Sequence, residues 1–150
     1  MELLSRWGNC LILVMTVVVF PQTGSTGVLQ LQPHSKPWPA GASGMVNISL
    51  VIKEGFKIPK RPLPRIQIDS APDFEIKGEL NFIEEGRGKD PEYFNSFKPL
   101  VIQVKAADST KPGRYSLGGK FVYFYCSDKD KYCSRAVESV QIPVEILAKK

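Results

Sequence analysis

Histidine is nearly missing from this chain of 150 residues: His34 is the only one, and it sits among Pro33, Pro37 and Pro39, far from the C-terminal cysteines. A Cys–His hydrolase therefore has no base that can be assigned to it. Two cysteines without a nearby histidine also fall short of the four ligands of a structural zinc site, so no metal and no other cofactor is expected. Long apolar runs are missing too. The only one, CLILVMTVVVF at 10–20, is shorter than the roughly 20 residues that a membrane span needs. Helical periodicity is absent past this run, since nowhere do apolar residues recur at three and four over a dozen positions. There is no internal repeat. Charge is not gathered into one block either: 20 Lys and Arg against 15 Asp and Glu leave a formal charge of +5. The densest basic stretch, KEGFKIPKRPLPR at 53–65, is broken by Pro59, Pro62 and Pro64 and carries no ladder of aromatics on which bases could stack. Nucleic acid is not implied, and a solvated loop is expected there.

What is present begins with a leader. Residues 1–27 have a short charged head with Arg6, then the apolar run, then a polar and small-residue stretch, the three-part layout of a secretory signal. This predicts a periplasmic or secreted protein, with an uncleaved N-terminal anchor as the second reading. Cys10, at the edge of the apolar run, belongs to that leader. Residues 28–150 then form one domain, long enough to bury a core without metals or several disulfides.

Alternation of apolar and polar residues dominates this domain. Val46, Ile48, Leu50 and Ile52 share one face; so do Ile66 and Ile68, Phe74 and Ile76, Leu100, Ile102 and Val104, and Val140, Ile142, Val144 and Ile146. Turn signals separate them, at Glu54-Gly55, at 59–64, 70–73 and 86–91, at Pro112-Gly113 and at Gly118-Gly119. Short period-two strands with one apolar face must pack as two sheets, so the predicted fold is all-β, an immunoglobulin-like sandwich of about seven to nine strands. An edge strand is expected over 28–32. The longest connection, 81–98, carries Phe82, Tyr93, Phe94 and Phe97. Aromatics in a loop of that length either close the end of the core or shield a reactive site. Asn47-Ile48-Ser49 matches a glycosylation sequon but falls on a predicted strand, where the match is read as chance.

The sharpest feature is FVYFYCSDKDKYCSRAVE at 121–138. The stretch up to Cys126 reads as a strand and the stretch from Cys133 as its return, with 127–132 as the hairpin loop. Cys126 and Cys133 then face each other, with α-carbons roughly 4.5 to 5.5 Å apart. A disulfide can close there, at the short end of the range such bonds prefer, which favours easy reduction. A closed loop of eight residues restrains the unfolded chain by only about 2.5 kcal/mol. Against a redox role stands the common use of two cysteines in an exported protein as a plain structural bond. Lys129, Lys131 and Arg135 around the pair are offset by Asp128 and Asp130. These two aspartates lack the glycine and terminal glutamate of a calcium loop and read as hairpin solvation.

Gly113-Arg114-Tyr115-Ser116-Leu117, then Val122-Tyr123-Phe124-Tyr125-Cys126, a short polar loop, Cys133 and a last strand over 140–146 resemble the periplasmic N-terminal domain family of the thiol:disulfide interchange protein DsbD. Glu54-Gly55-Phe56-Lys57-Ile58 is similar to that family's early strand-end motif, and the resemblance spans roughly 46–147. It departs after Cys133, where Ser134-Arg135 stands in place of a tyrosine and prolines, and in a cysteine loop longer by one residue. The resemblance implies an immunoglobulin-like fold and a catalytic pair, Cys126 and Cys133, that takes electrons from a membrane-embedded donor and passes them to exported redox proteins, with Cys126 striking first. It also implies an aromatic cap or partner contact over the pair, for which Phe82, Tyr93 and Tyr125 are the candidates. The competing expectation is a secreted binding module of the same fold, whose disulfide only pins a recognition hairpin and whose contact area comes from Tyr123, Tyr125 and Tyr132.

Overall fold

Each apolar alternation becomes a strand. In a computed structural model, which describes residues 27–78, 80–86 and 90–149, ten strands form and none of the described residues is helical. In chain order they are β1 (Leu29–Ser35), β2 (Trp38–Pro39), β3 (Ser43–Ile52), β4 (Phe56–Pro59), β5 (Arg65–Ile68), β6 (Phe74–Lys77), β7 (Tyr93–Phe94), β8 (Leu100–Ala106), β9 (Gly113–Ser127) and β10 (Tyr132–Leu147). The expected leader, with Cys10, lies outside the described residues apart from Gly27.

Two sheets result. One has the order β1-β3-β8-β6; the other runs β2-β10-β9-β4-β7, with β5 also paired to β9. All pairings are antiparallel except β2 with β10. Val46, Ile48, Leu50, Leu100, Ile102 and Val104 from the first sheet meet Ile58, Leu117, Phe121, Tyr123, Val140, Ile142, Val144 and Ile146 from the second in one core cluster. At about 1.5 to 3 kcal/mol for each large apolar side chain buried, this core dominates the stability of the sandwich-like fold. Trp38 closes one end against Gly44, where a Cβ would stand 2.1 Å from the indole ring.

Three local expectations need correction. Gly118 and Gly119 do not turn the chain: β9 runs straight through them, and Gly119 lets β5 approach so closely that a Cβ there would lie 2.4 Å from the carbonyl oxygen of Gln67. The basic stretch 53–65 is not simply a solvated loop. Its Phe56 and Ile58 alternate, and they place β4 beside the end of β9, while Arg65 begins β5. The edge strand at the start is longer than expected and reaches Ser35, with Pro33 tolerated because, among the described residues, β1 has a neighbour on one side only. The connection 81–98 contains β7, and Phe82, Phe94 and Phe97 in it are all buried, so its aromatics do close the core.

Candidate functional site

The β9–β10 hairpin is tighter than 127–132 suggested. Ser127 still pairs with Tyr132, and only residues 128–131 turn. Lys131 takes the left-handed conformation that closes a four-residue loop, and its N–H donates to the Ser127 carbonyl at 3.1 Å. Ser127 Oγ holds the turn from inside, donating to Asp130 Oδ2 at 3.0 Å and accepting from the Asp130 amide at 3.1 Å. Asp130 is thus occupied by the hairpin, and Asp128 pairs with Lys57 at 3.2 Å. Solvation and turn-building account for both aspartates.

One rung inside this turn, Cys126 and Cys133 are direct ladder partners and form a disulfide, with α-carbons 4.0 Å apart. The sequence-based register is met. The bond joins residues that backbone hydrogen bonding already holds together, so it adds cross-linking where the fold needs little. Cys126 is half-buried and Cys133 is exposed. Among the described residues, the only strand on the far side of β10 is β2, at Ile146 and Leu147. Cys133 therefore sits on an open sheet edge, whereas Cys126 has neighbours on both sides. The neighbour opposite Cys133 is β4, whose Lys57 is the ladder partner of Cys126.

Successive side chains on a strand alternate faces, and directly paired residues share one. Lys57, Cys126 and Cys133 thus form a row on the outer face. Pro59 and its partner Tyr93 follow on that same face, and the Lys57 ammonium lies 5.6 Å from the centre of the Tyr93 ring. Of the three cap candidates, Tyr93 alone shares the disulfide's face. Tyr125 projects to the opposite face because it immediately precedes Cys126, and its ring meets Phe56, Tyr123 and Tyr132 there. Phe82 lies in the core, stacked on Phe121 at 6.0 Å. Period two applied to Cys126 was enough to separate Tyr125 from the pair.

Tyr123 is not a contact residue either. It is 1 % exposed, its hydroxyl donates to Glu138 Oε1 at 2.7 Å, and it accepts from the Val28 and Leu29 amides at 2.9 and 3.2 Å. Burial, with the Glu138 carboxylate adding and the Leu29 amide opposing, pushes its phenol up to about 12. Around the pair, the Asp128 carboxylate raises Lys57 above its ordinary value, first through its hydrogen bond and then through its charge. Tyr132 is also raised, by its hydrogen bond with Tyr125 before any other cause.

A second lysine, just past the end of β4, holds the neighbouring segment. Lys60 Nζ pairs with Glu84 at 2.7 Å, donates to the Asp90 carbonyl at 2.8 Å and lies 5.9 Å from the Phe94 ring. Glu84 also accepts from the backbone and side-chain amides of Asn95, both at 3.1 Å. These contacts hold Glu84, Asp90 and Asn95 beside the end of β4 and so set where Tyr93 stands. Neither Lys57 nor Lys60 stands out in the sequence, where both fall in a proline-broken basic stretch; the alternation of Phe56 and Ile58 was the available signal.

No metal-holding group of three or more His, Cys, Asp or Glu occurs among the described residues. The chemistry within reach is that of sulfur: a disulfide with one cysteine on an open edge and the other paired across the ladder with a lysine. Compared with protein families the chain matches none, and compared with curated proteins it again matches none.

Proposed function

We propose that the chain is an exported thiol-disulfide exchange domain, immunoglobulin-like in fold and of the kind found at the N-terminus of DsbD, in which Cys126 and Cys133 cycle between disulfide and dithiol. A donor protein's thiolate attacks the Cys133 sulfur; the Cys126–Cys133 bond breaks and its electron pair leaves on Cys126, while a new bond joins the donor to Cys133. The donor's second thiolate then attacks its own sulfur in that mixed disulfide, releasing Cys133 and leaving the donor oxidised. The reduced domain passes the two electrons on by the reverse sequence, with Cys133 attacking a client's disulfide and Cys126 resolving it. Cys133 takes the leading role, rather than Cys126 as the resemblance suggested, because it is the exposed member of the pair. The donor is membrane-embedded and the clients are exported redox proteins of the periplasm.

One observation carries this reading. The disulfide ties together two residues already paired in a ladder, with Cys133 exposed at the sheet edge outside the apolar core, which supports a bond that the fold does not depend on and that a visiting thiol can reach. Equilibration with glutathione buffers followed by alkylation measures the potential. A value well above about −300 mV is expected, and a value below it assigns the bond to structure alone.

The aromatic cluster at the tip favours a second reading, a binding module. Tyr132 is 45 % exposed beside Tyr125 and Phe56, and aromatic side chains of this kind anchor interfaces. In that case Tyr132→Ala abolishes partner capture while the Cys126→Ser, Cys133→Ser variant retains it; the exchange reading expects the opposite.

A further inference from the structure

Resting on the exchange reading, we propose that Lys57 is its positioning residue: the ammonium group holds the negative charge that collects on Cys126 when the disulfide opens, fixing Cys126 as the leaving sulfur and Cys133 as the one that carries the partner. The asymmetry of the two cysteines is built into the sheet. β4 brings Lys57 directly opposite Cys126, on the same face and one inter-strand spacing of roughly 4.8 Å away along the sheet. Among the described residues, the far side of Cys133 is an open edge, with no paired strand to bring a cation there.

Lys57 has capacity for a second anion. An ammonium group carries three donors, and its one carboxylate contact here is with Asp128 Oδ1 at 3.2 Å. The ammonium also lies 5.6 Å from the centre of the Tyr93 ring, a contact that leaves its N–H donors available. Other charges surround the pair. Asp128 and Asp130 in the turn oppose a thiolate, as does Asp90 beyond Lys57; Lys129 and Lys131 in the turn and Arg135 on β10 favour one. The turn charges cancel in number and lie on one short loop near both sulfurs, and Arg135 is two residues from Cys133, so Lys57 is the group that distinguishes Cys126. In the balanced exchange above, the electron pair arriving on Cys126 then needs no proton at the moment of cleavage. A lower thiolate basicity makes Cys126 the better leaving group.

The test uses the whole chain with Cys10→Ser throughout, so that one cysteine is kept at a time by adding Cys133→Ser or Cys126→Ser, each alone and combined with Lys57→Met or Lys57→Arg. Iodoacetamide alkylation rates against pH report the thiolate fraction. Lys57→Met should slow alkylation of Cys126 at neutral pH by about threefold, leave Cys133 unchanged, and be largely reversed by Lys57→Arg. The effect should shrink in 1 M salt. Equal slowing of both cysteines, no slowing of Cys126, or failure of the arginine to restore the rate would each overturn the proposal. The glutathione equilibrium on the unaltered chain judges the exchange reading separately. A structural potential with the Lys57 effect intact sinks exchange but not the charge pairing, and an exchange potential without that effect sinks this inference alone.

Discussion

The two halves of the β9–β10 hairpin obey different rules. In the half away from the turn, Leu117, Phe121, Val140, Ile142, Val144 and Ile146 are all buried and alternate with outward residues, because the other sheet covers one face. In the half nearest the turn, β10 is almost wholly exposed from Tyr132 to Arg135, and the disulfide lies there. Covered strand supplies the stability; uncovered strand supplies the sulfur. A site on the second half can change its covalent state without asking the first half to move.

Breaking this contrast starts in the covered half. Phe121→Ala removes a fully buried ring stacked on Phe82 and tilted against Tyr123 and should cost about 3 to 5 kcal/mol, read as a lower urea midpoint. Replacing both Cys126 and Cys133 by serine should cost less, at most about 2.5 kcal/mol, with the fold retained by circular dichroism. A larger loss would mean that the tip supports the sandwich after all. Tyr123→Phe leaves the Val28 and Leu29 amides without their acceptor and should cost about 1 to 2 kcal/mol, measurable in the same titration.

Smaller effects sharpen the contrast at the edge of the site. Lys60 and the Asn95 amide hold the Glu84 carboxyl below its ordinary value of 4.5, so the contact contributes above that value and is lost as pH falls through the lowered one. Limited proteolysis within 81–98 should accelerate as the pH falls through that lowered value while the core cluster stays protected in hydrogen exchange. Lys57→Met should leave the urea midpoint nearly unmoved, because the Lys57–Asp128 pair is exposed on both sides.

Much of the covered region was legible in the sequence. The strict alternation of β3, β8 and the C-terminal half of β10 is what a sheet buried on one face writes, and two sheets follow from it. The facing cysteines were legible too, because pairing across a hairpin is counting from its turn. What escaped notice was short or set by distant contacts. In β4 two apolar residues, Phe56 and Ile58, are too few to outweigh Pro59 and the basic residues around them. Gly118 and Gly119 read as a turn because nothing local announces that β5 needs the space. Phe82 and Tyr93 could not be sorted by sequence, since a loop has no period from which to infer which ring turns inward.

Ser127 with Tyr132 on one side, and Tyr125 with Ser134 on the other, keep the rungs flanking the sulfurs in place whatever the sulfurs do. On the exchange reading, opening the bond would then ask for no journey of the main chain, and a visitor would tell the two forms apart by two atoms and the charge they hold, not by a shape.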